Sequence, residues 1–248
     1  MTTITALGLV LLGLMVLVGG KQGWLAFLSF LLNFGFLYLT ILLIALQVPA
    51  VWVAVGSGLV VLAVTIFMGE DDLQVALPAF WTACLVAMIM LLVIIGVEHG
   101  VQVQGFGLED SDDLEGMSLT IGVPFLSVTI AAAFLATLGA IAEAAMAVAA
   151  GLAEILQKHP TLPDQRLFLN GLAIGRQIIG TTLNTLFFGF VGGLLALLIW
   201  FFGLHYTWGA VLNNKIFVHE LTLVLISFLA VIVTVPTTAL VMIRRRHV

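Results

Sequence analysis

Long apolar runs separated by short polar turns set the pattern of this chain. A bilayer core about 30 Å thick takes about 20 apolar residues per helix. On that ruler the runs predict spans near 4–19, 24–46, 50–68, 79–97, 125–155, 168–203 and 218–243. The first is short. The fifth and sixth exceed a plain crossing, which predicts extension into the cytoplasm or an interfacial turn. The runs are continuously apolar rather than alternating, which excludes a transmembrane β-barrel. The pattern therefore predicts an all-α polytopic membrane protein of about seven helices. Residues 1–248 are predicted to form a single transmembrane domain with no soluble domain, because the longest loops, about 98–118 and 204–217, are too short to hold a core.

Composition removes the soluble alternative. Hydrophobic residues make up 62% of the chain and charged residues 8%, with a mean hydropathy of +1.25. A soluble domain of this length needs more charge to cover its surface. Cys84 is the single cysteine, so neither an internal disulfide nor a cysteine metal site is possible. The net charge of −5 gathers in short loops and describes those loops rather than a partner for the whole molecule. Met1-Thr2-Thr3 has no basic region and no small-residue cleavage site follows, so the first run reads as a retained helix.

The basic residues predict direction. Lys21, Lys158, Arg166, Arg176, Arg244, Arg245 and Arg246 fall at one set of span ends, and only Lys215 falls at the other. The prediction is N-terminus out, C-terminus in. The loop "LEDSDDLE" at 108–115 then lies outside and "GEDD" at 69–72 inside. The outer loop lacks the spacing of an EF-hand, with Leu114 interrupting the ligand pattern, and reads as a solvated acidic turn. Trp24, Trp81, Trp200 and Trp208 sit near span ends, where interfacial anchors belong.

Candidate chemistry concentrates in two spans. In "LGAIAEAAMAVAAGLAEI", 138–155, the residues Gly139, Glu143, Ala147, Ala150 and Glu154 follow i+3 and i+4 steps and share one helix face. Small residues there admit a neighbouring helix closely, so Gly139, Ala147 and Ala150 form a packing face. Glu154 lies four residues before Lys158 and reads as an interfacial ion pair. Glu143 is deeper, where a charged carboxylate costs about 2.5–3.5 kcal/mol on insertion scales. It is expected to be protonated, paired or facing a wet cavity. It suits a reversible proton carrier, or a neutral acid bonded to a neighbouring helix. In the next span Gln177, Thr181 and Asn184 recur at i, i+4 and i+7 beyond Arg176, flanked by Thr182 and Thr185. Such a stripe either joins helices or lines a proton or ion path. His219-Glu220 reads as a solvated helix start. No HExxH, GxSxG or Walker pattern occurs, and nothing points to nucleic acid, a cofactor or a metal. No second deep acid or nucleophile–base pair stands out, which argues against an intramembrane enzyme.

Three blocks, "GAIAEAAMAVAAGLAEI" (139–155), "IGRQIIGTTLNTLFFGFVGG" (174–193) and "VHELTLVLISFLAVIVTVPTTALV" (218–241), resemble successive blocks of the YibE/F family of bacterial membrane proteins. The resemblance covers the C-terminal half; the first four spans match in hydropathy. It implies a bacterial cytoplasmic membrane protein and the shorter, F-type member of a pair, whose E-type partner carries an extracytoplasmic domain. More distantly, Gly139 to Met146 is similar to the acid-bearing helix of the RND and SecD/SecF superfamily, approximately G-x-x-x-D-[DA]-x-[IV], with Glu143 at the acid position. A glutamate replaces the usual aspartate, and the large porter domain has no counterpart here. That likeness implies that the last six spans form an RND-type transmembrane half. The function it implies is a subunit of a proton-coupled transporter. Glu143 would be the relay, with Arg176, Gln177, Thr181 and Asn184 facing it, in a heteromer with the E-type chain. The alternative is a non-transporting scaffold that stabilises that partner in the bilayer.

Overall fold

The computed structural model describes residues 2–101, 122 and 124–246. Within them lie α1 (Thr3–Ala45), α2 (Ala50–Gly69), α3 (Leu73–Val101), α4 (Phe125–Lys158), α5 (Asp164–Gly193), α6 (Leu195–Gly203), α7 (Trp208–Leu212) and α8 (Lys215–Arg246). No strand occurs among the described residues. The acidic stretch 108–115 lies outside them. Helices α1 to α4 and α8 are each long and apolar enough to cross a membrane, and the pair α5–α6 makes a sixth if counted as one span.

Two expected boundaries change. The predicted spans 4–19 and 24–46 join into the 43 residues of α1, interrupted only at Gly20, with φ 54° and ψ −129°. Only glycine takes up that backbone without strain. A Cβ built on Gly23 would overlap the carbonyl of Met15. In a straight helix those two residues stand about 12 Å apart along the axis, so the chain folds back sharply at Gly20. The two apolar runs are separate rods, but the turn between them is a single residue wide. The predicted span 168–203 also divides: α5 and α6 meet at an angle of 51°. Gly189, Gly192 and Gly193 precede the bend, and glycine weakens a helix where no packing supports it.

The bundle is assembled around α4, which meets α2, α3, α5 and α8. Close approach follows from small residues. Ala76, Ala79, Ala83 and Ala87 of α3 and Ala131, Ala133, Ala145 and Ala149 of α4 are all buried in one core. Phe134 and Leu138 of α4 seat against Gly58 of α2, where a Cβ would come within 2.7 Å and 2.9 Å of them. On α5, Gly175 leaves room for Val235 of α8, and Gly171 for Ala239. The second rod of α1 runs antiparallel to α2 and is held by polar bonds. Asn33 Nδ2 donates to Thr65 Oγ1 at 2.7 Å, Ser29 to the Val64 carbonyl, and Gln22 to the carbonyls of Met68 and Gly69.

One end of the bundle collects cations. Gln22 reaches Gly69, Arg245 donates to the Leu73 carbonyl, and Arg246 donates to the carbonyls of Pro160 and Leu162. Lys21, the α2–α3 turn, the α4–α5 turn and the C-terminal arginines therefore share that end. Lys215, at the start of α8, lies at the other.

Candidate functional site: an acid on an open seam of α4

Glu143 stands near the middle of α4, roughly 27 Å from its start and 22 Å from its end at about 1.5 Å per residue. Its side chain is exposed on the surface of the bundle. Above it, Ala132, Ala136 and Gly139 are exposed along the same face, while Ala147 and Ala150 below it are half-buried. A Cβ at Gly139 would meet nothing within 4 Å. Helix α2 packs on one flank of this face, at Phe134 and Leu138. On the other flank α5 presses Ile174 against Gly151. Between them runs an uncovered strip of small residues with one carboxylate at its centre.

The contact that reaches Glu143 comes from Thr182, a buried residue of α5 with 3% exposure, whose Oγ1 donates to Oε1 at 3.5 Å. That distance is at the long limit of a hydrogen bond. The carboxyl therefore keeps nearly all of its capacity for water, a proton or another chain.

The predicted stripe does not face it. Gln177, Thr181 and Asn184 are exposed and lie roughly 100° or more around α5 from Thr182, at about 100° per residue. Thr181 donates to the Gln177 and Ile178 carbonyls, Asn184 to Gly180, and Thr185 to Thr181. These hydroxyls and the Asn184 amide nitrogen are satisfied on their own helix. What α5 turns towards α4 includes Ile174, against Gly151, and Thr182, while Gly175 seats on Val235 of α8 and Gly171 fits between Ala239 of α8 and Leu152 of α4. Arg176 is exposed, about two turns nearer the basic end than Thr182. Glu154 pairs with Lys158 at 2.6 Å, as their spacing predicts.

A second acid escapes the sequence pattern. Glu98 is 2% exposed, and its Oε1 has no hydrogen-bond partner among the described residues. Glu98 lies three residues from the end of α3, so it is buried in the bundle near a helix end rather than at mid-helix like Glu143. A span ending at 97 leaves Glu98 in a loop, but α3 continues to Val101. Ala83, Ala87, Ile94 and Glu98 occupy one buried face, and Glu98 follows Ile94 by a helical turn; that spacing is the available signal. His219 also differs from a solvated helix start, since it is half-buried and its Nδ1 has no partner among the described residues. Arg245 meets Leu73, and 26 residues back along α8 or 25 forward along α3 bring His219 and Glu98 to the same level.

No curated protein and no solved structure matches the chain. A family model described as YibE/F-like protein matches residues 7–246, which carries the resemblance of the C-terminal blocks through the N-terminal helices as well. The chain therefore belongs to the YibE/F-like family.

Proposed function

We propose that this chain is a membrane-embedded subunit of a proton-coupled, RND-like transporter, with Glu143 as its protonatable group. The observation that carries the reading is the position of Glu143: midway along α4, exposed, and held by a long bond from Thr182. A charged carboxylate facing hydrocarbon costs about 2.5–3.5 kcal/mol. In the working protein it is neutral, or covered by something polar. A group that alternates between those two conditions takes up and releases a proton.

In this reading the chain lies in the bacterial cytoplasmic membrane with its N-terminus out and its basic end inside, as the bias of Lys and Arg favours. The two rods of α1 and the bent α5–α6 pair each contribute crossings, giving seven. An E-type partner covers the strip of Ala132, Ala136 and Gly139 and supplies the second half of an RND-like core. Arg176, Gln177, Thr181 and Asn184, exposed on α5, face that partner or a wet path rather than Glu143. The scaffold reading uses the same strip as packing glue and needs no titration at Glu143.

Glu143→Gln separates the two, because it keeps the shape and abolishes titration. The expected result is normal insertion and thermal stability, with loss of complementation in cells lacking the chain. Loss of the infrared signal of a protonating carboxyl should accompany it. Complementation at the wild-type level by a stably inserted Glu143→Gln variant would leave the scaffold as the better reading.

A further inference from the structure

A cavity of about 340 Å³ opens at the basic end of the bundle, between α3, α4 and α8. Its rim carries Arg245, Arg246, Gln74 and Gln157, and its floor includes Pro78 and Met242. Among the described residues no acid lines it. We propose that this cavity binds the phosphate group of an anionic phospholipid.

The two guanidiniums are held differently. Arg246 is fixed by the carbonyls of Pro160 and Leu162, with Asp164 at 3.6 Å. Arg245 uses one nitrogen on the Leu73 carbonyl, at 3.3 Å. A guanidinium has five N–H donors, so Arg245 keeps most of its fork for a ligand. The side-chain amides of Gln74 and Gln157 hold no hydrogen bond among the described residues. A planar fork beside free amide donors matches the oxygens of a phosphate ester. Pro78 and Met242 are buried apolar residues beneath that rim, which suits a phosphate bearing an apolar body better than a free ion. Basic pockets between membrane helices at the charged end of a bundle recognise anionic headgroups on this physical basis. The cavity lies far from Glu143, and the proposal does not depend on transport.

The experiment is lipid retention by the purified full-length chain, measured by native mass spectrometry after exchange into phosphatidylglycerol or phosphatidylcholine, with inorganic phosphate as competitor. Wild type should retain phosphatidylglycerol preferentially. Arg245→Gln should lower that retention by about tenfold, the loss of one charge-assisted contact. Arg244→Gln removes the same charge from outside the cavity and should retain lipid as wild type does. If Arg245→Gln fails to fold, Gln157→Ala on the same rim should weaken retention instead. Equal losses in the Arg244 and Arg245 variants, or no preference in wild type, would overturn the site. Displacement of the lipid by millimolar-range inorganic phosphate, with protection by phosphate alone, would keep the anion site but overturn its lipid source.

Discussion

At the scale of single residues, Glu143 and Glu98 sit in opposite surroundings. Glu143 is exposed with a weak hydroxyl donor, whereas Glu98 is buried with none at Oε1 among the described residues. An unsatisfied buried polar group costs about 1–3 kcal/mol. Glu98→Leu, which continues the buried face of α3, should therefore raise the stability of the purified protein by about that amount. Thermal unfolding in detergent measures it, and a fall in midpoint would show that the carboxyl has a partner that matters. Thr182→Val is the complementary case. It removes the donor to Glu143 while keeping shape, and should cost less than about 1 kcal/mol, as interhelical hydroxyl bonds in membranes do. If the hydroxyl tunes a proton carrier, the complementation activity of Thr182→Val should fall and shift in its pH dependence, while Thr182→Ser keeps both. An unchanged pH profile would reduce Thr182 to packing.

At the scale of elements, the glycines of α4 and α5 divide into filled and open positions. Gly175 is filled, since a Cβ there would overlap Val235. Gly175→Ala should force α5 and α8 apart, at about 1–3 kcal/mol for overpacking. Gly139 is open, so Gly139→Ala should leave the isolated chain unchanged or stabilise it by up to about 1 kcal/mol through helix propensity. Parallel unfolding measurements on the two variants test the contrast, and equal destabilisation would mean that the strip on α4 is already covered within the chain. The same packing explains the stripe on α5. Because Gly175 docks on α8 and Gly171 fits between α8 and α4, the rotation of α5 is set, and Gln177, Thr181 and Asn184 point away from α4.

At the scale of the whole molecule, the exposed strip on α4 is where the heteromer proposed above would place its second chain. Lipid gains nothing from a row of alanines, whereas a helix gains close contact. Single cysteines at Ala132 or Ala136, in a Cys84→Ala background, should crosslink to an E-type partner in shared membranes. Positions Ala147 and Ala150, half-buried by the chain itself, should crosslink less. Free labelling of Ala132 and Ala136 cysteines by a lipid-soluble thiol reagent, without crosslinks, would leave the heteromer unsupported.

Much of this architecture is legible in the amino-acid sequence. Unbroken apolar runs dictate membrane helices, because backbone groups in hydrocarbon must bond within their own segment. Spacing alone predicts the Glu154–Lys158 pair and the shared face of Gly139 and Glu143, since both lie within one helix and depend only on its period. Rotations and contacts between helices are left open by that spacing. The turn at Gly20 requires its positive φ, and the aim of α5 requires Gly175 against Val235. The burial of Glu98 requires α3 to run past its apolar stretch into the core. The cavity beneath Arg245 requires three helix ends, separated by up to about 170 residues of chain, to converge. Periodicity is a property of one helix; which neighbour covers each face is decided by the fit of small and large side chains across all of them.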